Sequence, residues 1–457
     1  MGADVSSAGM AKGPTVERRL RSAVVLLVAS FSLWLLGMHL RGGRGPLFHS
    51  PADQHTRQAI AGLHGRIHLD GAPPDLEIAE YGGRYYNSFP PTPTLVELPL
   101  ALIFGRETPS SLALYTFWLL ALLAQHSLLR RRGLSETSSL VAPLAFLFAT
   151  NVFPSCVHAS VWAQGQSLGY CLAVMAVCRV AHNPASGWRG PGPGYGLLSL
   201  AVGCRPFYVF TLPLLVAIDR FSNSRGARRC VGDALVWMLP YGLLLGAYNW
   251  VRFRNPLEFG HRYLPWPRHL PHGMFSLRYV PWNAYHAFLR LPAWSLAWPY
   301  VRFDSMGSAF WLHNAPLVIG AVGLASTRLD RSIRWSAAFG LLATGFGVLL
   351  YESAGSRLLP PGAVVPGSGN HQVGFRYFID LLPIAFAVFA FSFSRFTGLM
   401  LAASLASFSL NLYALAFWPE VRVEPPDTRT TARREPLDVD AAHRRSRSYT
   451  RMQCPIT

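Results

Sequence analysis

The sequence predicts an all-α polytopic membrane protein of about eleven transmembrane helices, and three observations predict it. Charged residues make up 14% of the 457 positions and hydrophobic residues 51%, with a mean hydropathy of +0.24. A soluble domain carries about a quarter charged residues, and each charge placed in hydrocarbon is costly. Apolar runs approaching the ~20 residues that cross a bilayer recur along the chain. Arginines gather in clusters between those runs, the pattern of loops retained in the cytoplasm.

The elements follow in chain order. Residues 1–21 form a short N-terminal segment ending in Arg18, Arg19 and Arg21, which precede the first span at 22–40. This start resembles a signal peptide. The run is long for one, however, and only HLRGGRGPLF follows it, with no small-residue cleavage site. It reads as an uncleaved span. Further spans are expected at 109–129, 136–153, 164–182, 194–204, 206–219, 232–250, 309–327, 333–351, 374–394 and 397–418. The pair around 194–219 is interrupted by Cys204-Arg205-Pro206 and can also be one hairpin. Thr94 to Phe104 is too short to span and follows Pro90, Pro91 and Pro93, so it is expected as a surface helix. Phe275 to Leu291 mixes Tyr279, Trp282, Tyr285, His286 and Arg290 with apolar residues, an interfacial composition. The tail 419–457 has few apolar residues and is expected to be disordered.

The arginine clusters set the orientation. With the N-terminus in the cytoplasm, Arg130, Arg131 and Arg132, then Arg225, Arg228 and Arg229, then Arg328, Arg331 and Arg334 all stay cytoplasmic. The multi-span domain 22–418 then sends loops 41–108 and 251–308 outward, into the periplasm of a bacterium. Eleven spans put the arginine-rich tail outside, against the same rule. The net charge of +18 carries only one lysine, Lys12. Clustered loop arginines account for that charge without nucleic acid. The six cysteines contain no C-x-x-C pair, and Cys171 and Cys178 are two turns apart on one expected helix, too far for a disulfide.

Chemistry is expected in the outward loops. Asp53 lies shortly after the first span, beside His55 and Arg57, where a carboxylate can take a proton from a substrate hydroxyl. Asp70, Asp75 and Glu77 read as solvated loop acids. The string EYGGRYYNSFPPTPTLVELP offers Arg84, Tyr85 and Tyr86 after a Gly82-Gly83 turn, either as a binding edge or as a structural clamp. The second loop holds seven arginines from Arg252 to Arg302, Arg262 among them, and arginine forks suit phosphate oxygens. The tenth span opens VGFRYFIDLLPI, where Arg376 and Asp380, flanking Tyr377, are four apart and expected to pair on one helix face. His158, Trp162, Gln164 and Gln166 read as interfacial anchors.

In this order, the acid past span one, then GRYYNSFPPTPTLVELPLALIFG, YNWVRFRNPLEFGHRY and FRYFIDLLP, the chain resembles bacterial membrane glycosyltransferases of the GT-C superfamily, relatives of the protein O-mannosyltransferases and the aminoarabinose transferases. The resemblance covers most of residues 20–418. It implies many transmembrane helices with surface helices in the first outer loop, and an inverting transfer of a sugar from a polyprenyl-phosphate carrier to an acceptor at the outer face of the cytoplasmic membrane. It implies Asp53 as the catalytic acid-base residue. Substrate contacts are expected from His55, Arg84, Tyr85, Tyr86, Arg262, Arg376, Tyr377 and Asp380, with Arg376 on the lipid phosphate. Where the family often has a second adjacent acid, this chain has Gln54; where it often has another acid at the fourth span, Gln164 and Gln166 stand. No metal ligand set is expected, and a divalent cation is the one cofactor left open. The rival reading is a non-enzymatic lipid-linked sugar transporter or flippase, or an inactive relative.

Overall fold

A computed structural model describes residues 16–72, 77–182, 190–264, 272–304, 307–351 and 372–423. Almost all of the expected disordered tail, and Asp75, lie outside the described residues. The chain runs through α1 (Val16–Leu40), α2 (Gln54–Leu63), the hairpin β1 (Ile78–Tyr81) and β2 (Arg84–Asn87), α3 (Thr92–Phe104), α4 (Ser110–Arg131), α5 (Glu136–Phe148), α6 (Val152–His158), α7 (Val161–Ala181), α8 (Gly192–Val202), α9 (Leu212–Asn223) and α10 (Ala227–Phe253). There follow α11 (Val280–Ala284), β3 (Ala293–Trp294), β4 (Val301–Asp304), α12 (Phe310–His313), α13 (Ala315–Val322), α14 (Arg331–Leu350), α15 (Leu382–Ser392), α16 (Gly398–Val421) and β5 (Arg422–Val423).

This is a polytopic helical membrane fold. Among the described residues, six helices are long and apolar enough to cross a bilayer: α1, α4, α7, α10, α14 and α16. The pair α5–α6, bent by 59°, makes a seventh if it is one span. The other four expected spans are helical too, but short or composite. Helix α8 has 11 residues; a 3₁₀ segment, Pro206–Thr211, leads into α9; α12 breaks before α13; and a second 3₁₀ segment, Arg376–Leu381, leads into α15. Proline explains the breaks. Helices α9, α13 and α15 each carry proline in the first turn, at Pro213, Pro316 and Pro383. Its ring fits a helix start and cannot continue one from upstream.

The helix ends sort onto two faces. On one, Arg132 stacks 4.3 Å over Phe391, Asn223 Nδ2 donates to Val180 O at 3.0 Å, and Phe396 N–H donates to Ser138 Oγ at 3.1 Å. The arginine clusters of the α4–α5, α9–α10 and α13–α14 turns lie here. On the other face, Thr92 N–H donates to Gly203 O at 3.0 Å and Val161 N–H to Ala52 O at 2.9 Å. This second face, here the loop face, gathers α2, the β1–β2 hairpin, α3 and the segment after α10. Parallel pairing of Phe303 with Arg422 brings the chain after α16 to the same face. The expected interfacial stretch Phe275 to Leu291 is a chain of short turns rather than one helix, with Leu277 and Leu289 exposed.

Helix α7 is almost wholly buried and packs against α4, α8, α9 and α15. Between membrane helices, small residues let backbones approach. Gly320 of α13 is such a point: a Cβ there would run into the backbone carbonyl of Ala385 on α15. Gly320→Leu should force the two helices apart and cost about 1–3 kcal/mol, the usual range for overpacking. A lower melting temperature in detergent, with Gly345→Leu unaffected because its Cβ meets nothing, checks this.

Candidate active site

On the loop face the chain buries an acid where α2, α3 and α4 meet. Asp53 is the N-cap of α2: Thr56 N–H donates to its Oδ1 at 2.9 Å and Thr56 Oγ1 to its Oδ2 at 2.7 Å. A helix start leaves N–H groups without partners, and a short acceptor side chain satisfies them. Ser110, the first residue of α4, donates a third hydrogen bond to Oδ2. Asp53 is 1% exposed, so its oxygens depend on these donors.

His55 is buried behind it. Its Nδ1 is 2.9 Å from Thr94 Oγ1 and 3.2 Å from Asn87 Nδ2. Phe89 N–H donating to Asn87 Oδ1 at 3.1 Å fixes that amide's orientation, so Nδ1 of His55 accepts. Burial pushes the imidazole down to about 4, against the pull of the Asp53 charge. His55 is therefore neutral at pH 7. Asn87 is itself held by Arg252, which is 1% exposed. Arg252 donates to Asn87 O and Asn249 Oδ1, both at 2.7 Å, under the rings of Tyr248 and Phe253 at 4.0 and 4.6 Å.

Glu97 of α3 is the second acid of this region, and no sequence expectation singled it out. It is 2% exposed. Burial pushes its carboxyl well up, and the neighbouring Asp53 charge adds to this, while Ser110 acts against it. The signal was present: Glu97 is the one charged residue in TPTLVELPLALIF. Helix α3 is turned inside out. Thr92, Thr94 and Glu97 face the protein, while Leu102 and Ile103 are exposed. The expected surface helix is thus present, with its polar edge serving the site.

Guanidinium groups stand on the same face. With its amide oriented to match its neighbours, Gln54 accepts from Glu77 N–H at 3.0 Å and donates to Glu77 O at 3.2 Å. The Glu77 carboxylate accepts from Trp162 Nε1 at 3.0 Å. Burial pushes Glu77 up, while the Trp162 N–H and the Arg376 charge pull it down. Glu77 is therefore a partly buried residue tied to Gln54 and Trp162, not a solvated loop acid. Arg41, Arg44 and Arg376 all act electrostatically on His158, at the end of α6. Arg41 and Arg44 follow span one directly and were missed for lack of any motif.

The expected Arg376–Asp380 pair does not form. Asp380 takes Arg205 instead, whose Nε is 2.9 and 2.8 Å from its two oxygens. Residues 376–381 are 3₁₀, where positions four apart are ~120° apart around the axis rather than on one face. Arg205, in the break between α8 and Pro206, fills the place. Tyr377 lies between the two guanidiniums, 5.6 Å from Arg205 and 5.4 Å from Arg376. His261, near Arg205 and Arg252, is pushed down to about 4 by burial and by both charges.

The remaining expected residues are placed elsewhere. Arg84 is exposed at the hairpin turn. Tyr85 packs with Ala61, Leu69 and Ile78, and Tyr86 is buried against Ala79 and Phe253. This is the clamp reading of that string. Arg262 is exposed, 3.6 Å from Glu258. Among the described residues no three His, Cys, Asp or Glu side chains gather as a metal set. A cavity of about 380 Å³ beside α2 is lined by Arg57, Ile60, Leu69 and Arg106, not by Asp53 or Arg376.

No family model and no curated protein matches the chain. Two solved structures are similar to it. The crystal structure of ArnT from Cupriavidus metallidurans bound to undecaprenyl phosphate shares 14% identity at a TM-score of 0.49, over 84% of this chain and 62% of that one. The same protein in the apo state shares 15% identity at a TM-score of 0.41, over 80% of this chain and 59% of that one. The chain thus spans about three fifths of the length of the protein it matches.

The Arg205–Asp380 pair is a buried ion pair, and removing one partner strands the other charge. Asp380→Asn should lower stability by about 3 kcal/mol, at the lower end of that class because the Arg205 side chain is 20% exposed. The double variant Arg205→Met with Asp380→Leu should recover most of the loss. Thermal unfolding of the two proteins in detergent makes the comparison.

Proposed function

We propose that the chain is a membrane glycosyltransferase of the GT-C kind, moving a sugar from a polyprenyl-phosphate carrier to an acceptor at the outer face of the bacterial cytoplasmic membrane. The observation that supports it most is a buried acid at Asp53 on the same face as the guanidiniums of Arg41, Arg44 and Arg376, with Gln54 beside it hydrogen-bonded to the Glu77 backbone. Transfer needs both. An acceptor hydroxyl must lose its proton as its oxygen bonds to the sugar's anomeric carbon, and the bond from that carbon to the carrier phosphate must break. Asp53 is the base in this reading. The acceptor hydroxyl would donate to Oδ2 where Ser110 now donates. The guanidiniums stabilise charge growing on the departing phosphate, a task for fixed positive groups. Attack opposite the leaving phosphate inverts the anomeric centre.

The loop face is outward in this reading and the face carrying the arginine clusters of the short turns cytoplasmic, long loops crossing largely regardless of their charge. A second reading, a transporter or an inactive relative, draws on one observation: the three hydrogen bonds to Asp53 already suit it to capping α2.

Asp53→Asn should lower transfer by about 10²–10⁴-fold, the usual contribution of a positioned base, while polyprenyl-phosphate binding persists. Asp70→Asn, an exposed acid held by Arg66, is the control. Near-normal transfer by Asp53→Asn in proteoliposomes would reject Asp53 as the base, and lipid-sugar translocation without transfer would favour the transporter.

Orientation is tested by single cysteines. The five described native cysteines are buried, and Cys454 is replaced by serine. An impermeant maleimide added to intact cells should label Arg84→Cys and not Arg228→Cys, both positions being exposed. The reverse pattern would invert the topology.

A further inference from the structure

The face that carries the arginine clusters holds a second cavity, away from Asp53. It measures about 470 Å³ and lies where the turn after α13 meets the link between α15 and α16. Its polar lining is two guanidiniums, Arg328 and Arg395, and the hydroxyls of Ser326, Thr327, Ser394 and Thr397. Val322, Phe393 and Met400 supply an apolar wall, and among the described residues no acid lines it. Arg328 and Arg395 are exposed, and neither makes an ion pair among the described residues. Arg334 holds the shape of the site instead. Its Nη2 donates to Ser326 O at 2.7 Å and to Leu329 O at 3.3 Å, which fixes the turn 326–329. Ser326 Oγ donates to Ser392 O at 3.4 Å and Ser392 Oγ to Gly323 O at 2.9 Å, so the two sides of the cavity are tied together. Thr397 Oγ1 accepts from Met400 N–H at 3.3 Å where α16 starts, which brings the positive end of that helix to the rim.

We propose that this cavity binds the headgroup of an anionic phospholipid, with Arg328 and Arg395 on the phosphate oxygens and the acyl chains running along α13. Guanidinium forks match phosphate oxygens, and hydroxyls can donate to the remaining acceptors. The cavity lies at the ends of α13, α15 and α16, level with the arginine turns. Basic pockets between helices at the cytoplasmic boundary are where anionic headgroups bind. The apolar wall decides for a lipid over a soluble anion, because it continues down the helices. Val318 and Val322 are 36% and 62% exposed, and at four residues apart they share one face of α13. Leu399, at the start of α16, is 81% exposed. A soluble phosphate would leave this strip uncovered, and a lipid chain covers it. The bias of arginine towards cytoplasmic turns accounts for the charges alone. It does not account for a cavity lined by hydroxyls and backed by an apolar wall. The site is independent of the chemistry at Asp53.

The test uses the full-length protein, delipidated in a neutral detergent, with lipid binding read by native mass spectrometry and by melting temperature. Phosphatidylglycerol should bind saturably and raise the melting temperature, while phosphatidylcholine and inorganic phosphate at the same concentration should not. Arg328→Gln combined with Arg395→Gln should weaken phosphatidylglycerol binding about 30-fold, the usual effect of two such charges. Arg228→Gln combined with Arg229→Gln removes the same charge from exposed positions on the same face. That control should change binding by less than about 3-fold, because distant exposed charges are screened. Equal losses in the two double variants would mean diffuse attraction and overturn the site. Equal stabilisation by inorganic phosphate would assign a soluble anion and overturn the lipid. Equal stabilisation by phosphatidylcholine would reject recognition of the headgroup charge. Should the arginine double variant not fold, Ser394→Asp places a negative charge on the exposed rim without removing an arginine. It should weaken binding by roughly 10-fold, and unchanged binding would also overturn the proposal.

Discussion

A carboxylate buried away from water must be given donors by the fold, and on the loop face that requirement organises everything else. Asp53 obtains two hydrogen bonds by capping α2 and the third from the first residue of α4. These contacts fix where α2 starts and how it leans on α4. Helix α3 then closes over the pair, with Thr94 on His55 and Glu97 beside Ser110. The Arg252 guanidinium, sealed beneath Tyr248 and Phe253, holds Asn87 from the other side. Asp53, His55 and Asn87 are polar, buried and hydrogen-bonded by their neighbours, so their arrangement is cooperative.

Helix α3 shows how a membrane surface reverses the usual pattern. In a soluble protein, Leu102, Ile103 and Phe104 would face a core and Glu97 would face water. Here the apolar side is exposed, as suits contact with lipid, and Thr92, Thr94 and Glu97 are turned inward. This is why the element was legible in the sequence and its most informative residue was not. Length and flanking prolines gave a surface helix. The identity of the buried edge depends on which side faces lipid, and that is set by packing against α2 and α8. Asp53 could be found because distance from a span locates it near the boundary. Arg41 and Arg44, directly after span one, needed only the same argument.

The pairing of Asp380 was illegible for a different reason. An α-helical reading of FRYFIDLLP puts Arg376 and Asp380 on one face. Residues 376–381, just before Pro383 in the first turn of α15, form a tighter helix, and the phase between positions four apart moves by about a quarter of a turn. The acid then faces the broken segment at Arg205, 175 positions earlier in the chain. Local periodicity carries no information about such a partner. A charge placed at a helix break, as in Cys204-Arg205-Pro206, does announce that some partner is needed, because an unpaired guanidinium there would be costly.

Release of Arg376 from Asp380 has a mechanistic consequence. A guanidinium committed to a buried carboxylate has less to offer a ligand. Arg205 takes that structural role, and Arg376 is left against Tyr377, within range of Glu77 and in the company of Arg41 and Arg44. The Glu77 backbone is tied to Gln54, the residue next to Asp53. The acid at the start of α2 and the basic group at the start of the 376–381 segment are thus referenced to one loop. A shift of that loop would move Gln54 and the Glu77 carboxylate together. For a reaction that must draw a proton from one oxygen while charge grows on another, a shared reference of this kind keeps the two ends in register, which is worth more than the strength of either contact alone.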